Sequence, residues 1–147
     1  MTSLNLPSTK FRVKNTEKGR LIFDPIRKKF VSLTPEEWVR QHVVFWLLSR
    51  KRIPSSLIAI EKQLDVAGTV KRYDILVFHK DASIHTIIEC KAPKIKLDQQ
   101  VFDQIARYNL ALNAQYLMIT NGLQHYYCTM DYEQQRYDFI PEIPDYQ

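Results

Sequence analysis

The sequence predicts an α/β fold: one central mixed sheet of about five strands, flanked by helices. Three observations carry this expectation. Runs rich in branched and aromatic residues recur at 57–64, 72–78, 84–91, 114–120 and 123–130, each bounded by turn-forming residues. Two stretches with apolar residues at helical spacing, 34–49 and 97–113, are interleaved with them. The second helix lies between two strand candidates, and a strand–helix–strand unit implies a right-handed crossover and a parallel pair. At 147 residues, with 45% hydrophobic and 25% charged content, the chain is long enough for one well-filled core.

Taken in order, residues 1–20 are polar, include Pro7 and offer few apolar anchors. They are expected as a mobile arm or an extended segment lying on a partner. Leu21-Ile22-Phe23 and Lys29-Phe30-Val31-Ser32-Leu33, separated by Asp24-Pro25, read as a small hairpin. Together these make an N-terminal arm and hairpin over 1–33, ahead of a core over 34–130 and an acidic surface tail over 131–147. Thr34-Pro35-Glu36-Glu37 is a helix start: Thr34 caps, Pro35 suits the first helical position, and Glu37 completes a capping box. Val39, Val43, Trp46 and Leu47 then face the core. A basic loop, 50–56, leads to the strand 57–64, and Ala67-Gly68-Thr69 breaks the chain before the next pair. In that pair, 72–78 and 84–91 are joined by the turn-like His79-Lys80-Asp81-Ala82-Ser83, and Pro93 stops the second strand. Leu97, Val101, Ile105, Tyr108 and Leu112 give the second helix its apolar stripe. The strand 114–120, the tight turn Asn121-Gly122 and a return strand complete the order.

The chemistry gathers on the 72–78 and 84–91 pair. Side chains alternate between the faces of a strand, so Ile84, Thr86, Ile88 and Cys90 point one way and His85, Ile87, Glu89 and Lys91 the other. Paired as a hairpin, the strands bring Asp74 close to Glu89 and Lys91. Hard divalent cations take oxygen ligands, often one or two carboxylates plus water and substrate phosphate. A lysine beside them can hold a phosphate or orient a water. The same residues also fit a strand-end turn at Asp74 and a solvated pair at Glu89 and Lys91. Spacing alone leaves both readings open.

Charge and exclusions narrow the field. The net charge of +5 is unevenly spread. Lys10, Arg12, Lys14, Lys18, Arg20, Arg27, Lys28 and Lys29 crowd the first thirty residues. Lys71 and Arg72 precede Asp74, Lys94 and Lys96 follow Lys91, and the segment after Met130 is acidic. Basic clusters beside the candidate site suit a polyanion. The longest apolar run, 43–48, is far too short to span a bilayer. The first residues lack the basic start and apolar core of a secretory signal. Cys90 and Cys128 make no disulfide framework, so both are expected as reduced thiols in a cytoplasmic protein. His42, His79, His85 and His125 have no metal-ligand spacing, and three glycines leave no phosphate-cradling loop, so no ATP-driven motor is expected.

Asp74 followed by Glu89-Cys90-Lys91 on a hairpin resembles the PD-(D/E)xK nuclease superfamily, with Tyr73 where the nominal Pro stands. Tyr73-Asp74-Ile75-Leu76-Val77 and Ile88-Glu89-Cys90-Lys91-Ala92-Pro93 more specifically resemble the N-terminal nuclease domain of type I restriction enzyme R subunits. Gln104-Ile105-Ala106-Arg107-Tyr108 resembles the QxxxY motif of restriction and recombination nucleases. The likeness covers about 34–130.

The resemblance implies a restriction-endonuclease-like core and metal-dependent hydrolysis of DNA phosphodiesters. It implies Mg²⁺ (or Mn²⁺) held by Asp74, Glu89 and the carbonyl of Cys90, with Lys91 positioning the attacking water and Gln104 and Tyr108 supporting the site. Glu37 is a further metal-site candidate by the same resemblance, and its capping role explains it equally well. Lys71, Arg72, Lys94, Lys96 and Arg107 would contact the nucleic acid. R subunits carry a translocase motor after the nuclease domain, and none is read here. Compatible partners are therefore DNA, a separate motor or specificity subunit, and a second copy of the chain. No membrane partner is expected. Two other classes stay open: a non-catalytic nucleic-acid-binding module that keeps the fold, and an accessory subunit using the polar arm and acidic tail.

Overall fold

The computed structural model describes residues 1–110 and 112–146. Among them, β1 (Val13–Thr16), β2 (Gly19–Asp24) and β3 (Lys29–Ser32) form a small antiparallel sheet in that order. The expected hairpin is β2–β3, and β1 adds a third strand from the stretch read as an arm. Helix α1 (Pro35–Ser49) follows. The Thr34 hydroxyl accepts from the Glu37 amide at 3.0 Å, so the cap forms as predicted. The reciprocal half of the capping box does not, because the Thr34 amide donates to the Ser32 carbonyl and the Glu37 carboxylate turns to arginines.

The central sheet has six strands, one more than expected. They are β4 (Ile58–Val66), β5 (Thr69–Phe78), β6 (Ile84–Cys90), β7 (Ala114–Thr120), β8 (His125–Asp131) and β9 (Arg136–Ile140), in that spatial order. All neighbours are antiparallel except β6 and β7, which run parallel as the crossover argument requires. Helix α2 (Gln99–Asn109) makes that crossover, and its amino end is capped by Asp98, which accepts from the Val101 amide at 2.9 Å.

Each sheet face is covered by one helix. On one face Ile58, Ile75, Val77, Ile88 and Met118 pack with Val39, Val43, Val44 and Leu47 of α1. On the other, Leu76, Ile87, Leu117 and Ile119 pack with Phe102 and Ala106 of α2. The alternation read in β6 is the one observed: Ile88 and Cys90 lie on the α1 side and Ile87 on the α2 side. Both cysteines are free and buried. The stripe assigned to α2 was rotated. Its buried residues are Phe102, Ala106 and Asn109, while Tyr108 is 40% exposed.

Both chain ends differ from expectation. The arm lies on the chain itself: the Asn5 amide donates to the Gly122 carbonyl at 2.8 Å, Asn5 O contacts His125, and the Trp38 indole donates to Thr2 O. At the other end, β9 closes the sheet and the segment after it is tied down. Ile143 is buried, and the Lys51 ammonium reaches Glu142, the Ile143 carbonyl and Asp145.

No described helix is long and apolar enough to cross a membrane.

Candidate active site

The site lies where three central strands separate. The register of β5 with β6 ends at Ile75↔Ile88. Two residues on, the Cys90 amide no longer joins the ladder and donates instead to the Asp74 carboxylate at 2.8 Å. On the other side of β5, the ladder with β4 skips the pair that would contain Asp74 and Glu61, and Glu61 has φ of 51°. A bulge-like break of this kind re-aims a side chain out of its strand. Asp74 is thus held by a main-chain donor in a gap between strands.

Glu89 stands beside it on β6, and its environment is unusual for a carboxylate. Its Oε1 is buried and lacks a hydrogen-bond partner among the described residues. Burial and then the neighbouring Asp74 charge push its pKa up to about 9, opposed by the Lys91 charge. Near neutral pH the carboxyl therefore holds a proton. Lys91 leaves the sheet just beyond, its amide donating to the Thr120 carbonyl at 2.8 Å. Asp74 and Lys91 both lie near enough for their charges to act on Glu89.

Sequence reading missed the cations that organise this corner. Arg40 of α1, almost fully buried, reaches Glu37 at 2.7 Å and Asp74, Glu36 and Glu61 each at 3.4 Å. Arg27, from the turn between β2 and β3, bridges Asp24 at 2.5 Å, Glu37 at 3.0 Å and Glu61 at 3.2 Å. The small sheet is thereby tied to the central one through carboxylates shared by two arginines. The Glu36–Arg40 spacing of four residues was a readable signal; nothing local marked Arg27.

Glu37, the expected further metal-site acid, is occupied by Arg27, Arg40 and Gln41. The adjacent Glu36 is the helix acid that senses the site. Its pKa is raised, first by burial and then by Asp74, against the pull of Arg40 and Lys91.

Beyond Glu89, Tyr73 is fully buried, its hydroxyl has no partner among the described residues, and its ring lies 5.9 Å from that of Tyr108. Tyr108 buttresses the start of β5: its hydroxyl donates to the Arg72 carbonyl at 3.4 Å, and the Lys71 ammonium sits 4.6 Å above its ring. Gln104, one turn earlier, lies on the exposed side of α2. Asn109, also buried in α2, donates from its side-chain amide to the Ile105 carbonyl at 2.7 Å. Of the expected nucleic-acid contacts, Arg72, Lys94, Lys96 and Arg107 are exposed and Lys71 is half-buried.

Among the described residues no three His, Cys, Asp or Glu side chains form a ready-made metal cluster. The oxygen donors at this corner are the Asp74 and Glu89 carboxylates, the adjoining main chain, and the arginine-paired carboxylates of Glu36, Glu37 and Glu61.

Over residues 35–144, three quarters of its length, the chain matches the family described as type I restriction enzyme R protein N terminus. The chain belongs to that family. No curated protein matches it. The matched span of the R protein N-terminal family starts at the first residue of α1 and takes in all six strands of the central sheet, with Asp74, Glu89 and Lys91 inside it. Family membership gives the protein a restriction-enzyme-related role. The small sheet β1–β3 lies ahead of the match.

Proposed function

We propose that this R protein N-terminal domain hydrolyses DNA phosphodiester bonds with Mg²⁺ or Mn²⁺ as cofactor. The observation that carries the reading is the buried oxygen of Glu89 that has no partner among the described residues, on a carboxyl close enough to Asp74 to feel its charge. Two carboxylates forced together cost stability unless a cation neutralises them, and a hard divalent cation is the partner their oxygens suit. Asp74, Glu89 and the Cys90 carbonyl are the proposed ligands, and Glu36 is the nearby helix acid.

When bound, the metal supplies a water of lowered pKa and a counter-charge for the phosphoryl oxygens. The chain's residues do the rest. Glu89 becomes a ligand by releasing the proton that its burial retains. The Cys90 amide and Arg40 fix Asp74 from two sides. Lys91 holds the phosphate or orients the attacking water from the edge of the site. Tyr108 keeps α2 against the start of β5. Lys71, Arg72, Lys94, Lys96 and Arg107 contact the strands, and Gln104 faces the solvent side from which substrate approaches. Partners in this reading are DNA and the other subunits of a restriction system.

The test is cleavage of supercoiled, linear and single-stranded DNA with Mg²⁺ or Mn²⁺, comparing wild type with Glu89→Ala and Lys91→Ala. Loss of cutting by at least a hundredfold in both variants, with folding intact, is expected. Equal inertness of all three proteins, with no metal uptake by calorimetry, refutes catalysis and favours a binding module that keeps the fold.

A further inference from the structure

An open groove of about 750 Å³ runs between the small N-terminal sheet and the site. One wall is the whole of β3, Lys29-Phe30-Val31-Ser32, and the other carries Ala92 and Lys94 just past Lys91. Its floor is Glu36, Glu37, Arg40, Glu61 and Arg27. The three floor carboxylates are tied to the two arginines, Glu37 and Glu61 to both and Glu36 to Arg40 alone. The rim cations are not: Lys29 and Lys94 are exposed, and neither makes a salt bridge among the described residues.

Two further observations mark β3 as a binding wall. Among the described residues it pairs only with β2, so apart from the Ser32 carbonyl, which accepts from the Thr34 amide, its other edge is unpaired, a liability that folded proteins normally cover. Two more cations stand on the aromatic face of the small sheet, outside the lining of the groove. Lys14 stands 4.2 Å over the Phe30 ring, and Arg12 stands 4.5 Å over Phe23 and 5.5 Å over Phe30. An aromatic face holds such a cation in place rather than letting it swing free.

We infer that β3 and the cations around it grip the phosphate backbone of the nucleic acid whose scissile bond reaches Asp74 and Glu89. Lys29 on one rim and Lys94 on the other take adjacent phosphates, Lys14 and Arg12 extend the contact along the small sheet, and Ser32 with the free edge supplies neutral donors. Phosphate contacts of this kind fix position without reading sequence. This deepens the hydrolase reading and rests on it for the identity of the substrate. It assigns a binding function to a sheet that lies outside the family match.

The experiment is fluorescence anisotropy of a labelled DNA duplex and a labelled single strand with the full chain in EDTA, from about 50 to 200 mM salt. It compares wild type, Lys29→Ala, Lys14→Ala and a control, Lys80→Ala, in the distant turn between β5 and β6. Exposed lysines are removed, so folding is retained, and circular dichroism checks it. Lys29→Ala is expected to weaken binding roughly three- to tenfold and to lower the slope of log affinity against log salt by about one, with Lys14→Ala a smaller loss and Lys80→Ala none.

Affinity and slope unchanged in both Lys29→Ala and Lys14→Ala overturn the inference, and the hydrolase reading survives if Mg²⁺ still supports cutting. Weakened binding in a protein that never cuts upholds the groove and removes the hydrolase. Wild type that binds neither DNA at 50 mM salt overturns the groove outright.

Discussion

Glu89→Gln is the substitution whose outcome the structure defines most sharply. The folded protein raises the Glu89 pKa from 4.5 to about 9, chiefly by burial and then by the Asp74 charge. The unfolded chain releases this proton near 4.5, whereas the folded state keeps it. The contribution to stability is therefore complete below pH 4.5 and is lost progressively as pH rises toward 9. Each pH unit in that window is worth about 1.4 kcal/mol. At pH 7.5 the loss is at most about 4 kcal/mol. Glutamine keeps the shape of the protonated side chain and has no proton to lose. We predict that without metal Glu89→Gln matches wild type near pH 4.5 and exceeds it by up to about 4 kcal/mol at pH 7.5. Urea denaturation in EDTA at pH 4.5, 6 and 7.5 measures this. A stability gap that stays constant across the three pH values would show that Glu89 ionises normally in the fold, and the argument for a strained carboxylate pair would fall with it.

Two other substitutions probe how the site is held. Arg40→Met leaves Glu36, Glu37, Glu61 and Asp74 without their shared buried cation. A loss of roughly 3–5 kcal/mol in denaturant midpoint analysis is expected, and a variant as stable as wild type would mean the arginine contributes nothing net. Gly122→Ala tests the seat of the N-terminal arm. Gly122 has φ of 85°, and an added Cβ would lie 2.8 Å from Leu4 Cδ2 and 3.2 Å from Val39 Cγ2. We expect a cost of about 1–3 kcal/mol, with faster proteolysis near residues 1–10. Unchanged protection there would disprove the arm's docking.

What the sequence made legible followed local rules. The β6 alternation separated Cys90 from Glu89 correctly because a period of two leaves no choice once one face is apolar. The parallel β6–β7 pair followed from one helix between two strands. Thr34 announced the start of α1, and Asn121-Gly122 announced the β7–β8 turn. The helix α2 was harder because Val101, Phe102, Ile105 and Ala106 offer two overlapping stripes. The small Ala106 and the long Phe102 settle the phase only once a sheet is present to pack against. The N-terminal arm was illegible for a different reason: Thr2 and Asn5 are held largely through main-chain groups, which leave no trace in composition. The Arg40–Asp74 contact spans 34 positions, so no local pattern could announce it. Asp74, Glu89 and Lys91 were found as a motif; the arginines that position the first of them came only from the fold.

The docking of the arm has a consequence for how the molecule is made. Asn5 is held by Gly122, Leu123 and His125, partners up to 120 positions further along the chain. Until those residues have left the ribosome, the seat for the first segment does not exist. The meander of β4, β5 and β6 joins neighbours in sequence and can form early, whereas closing the arm onto the β7–β8 turn must wait for the longest loop in the chain. Asn5 is thus synthesised well before the seat that holds it and is placed only after it. A growing chain carries Asn5 unanchored while more than a hundred other residues are added.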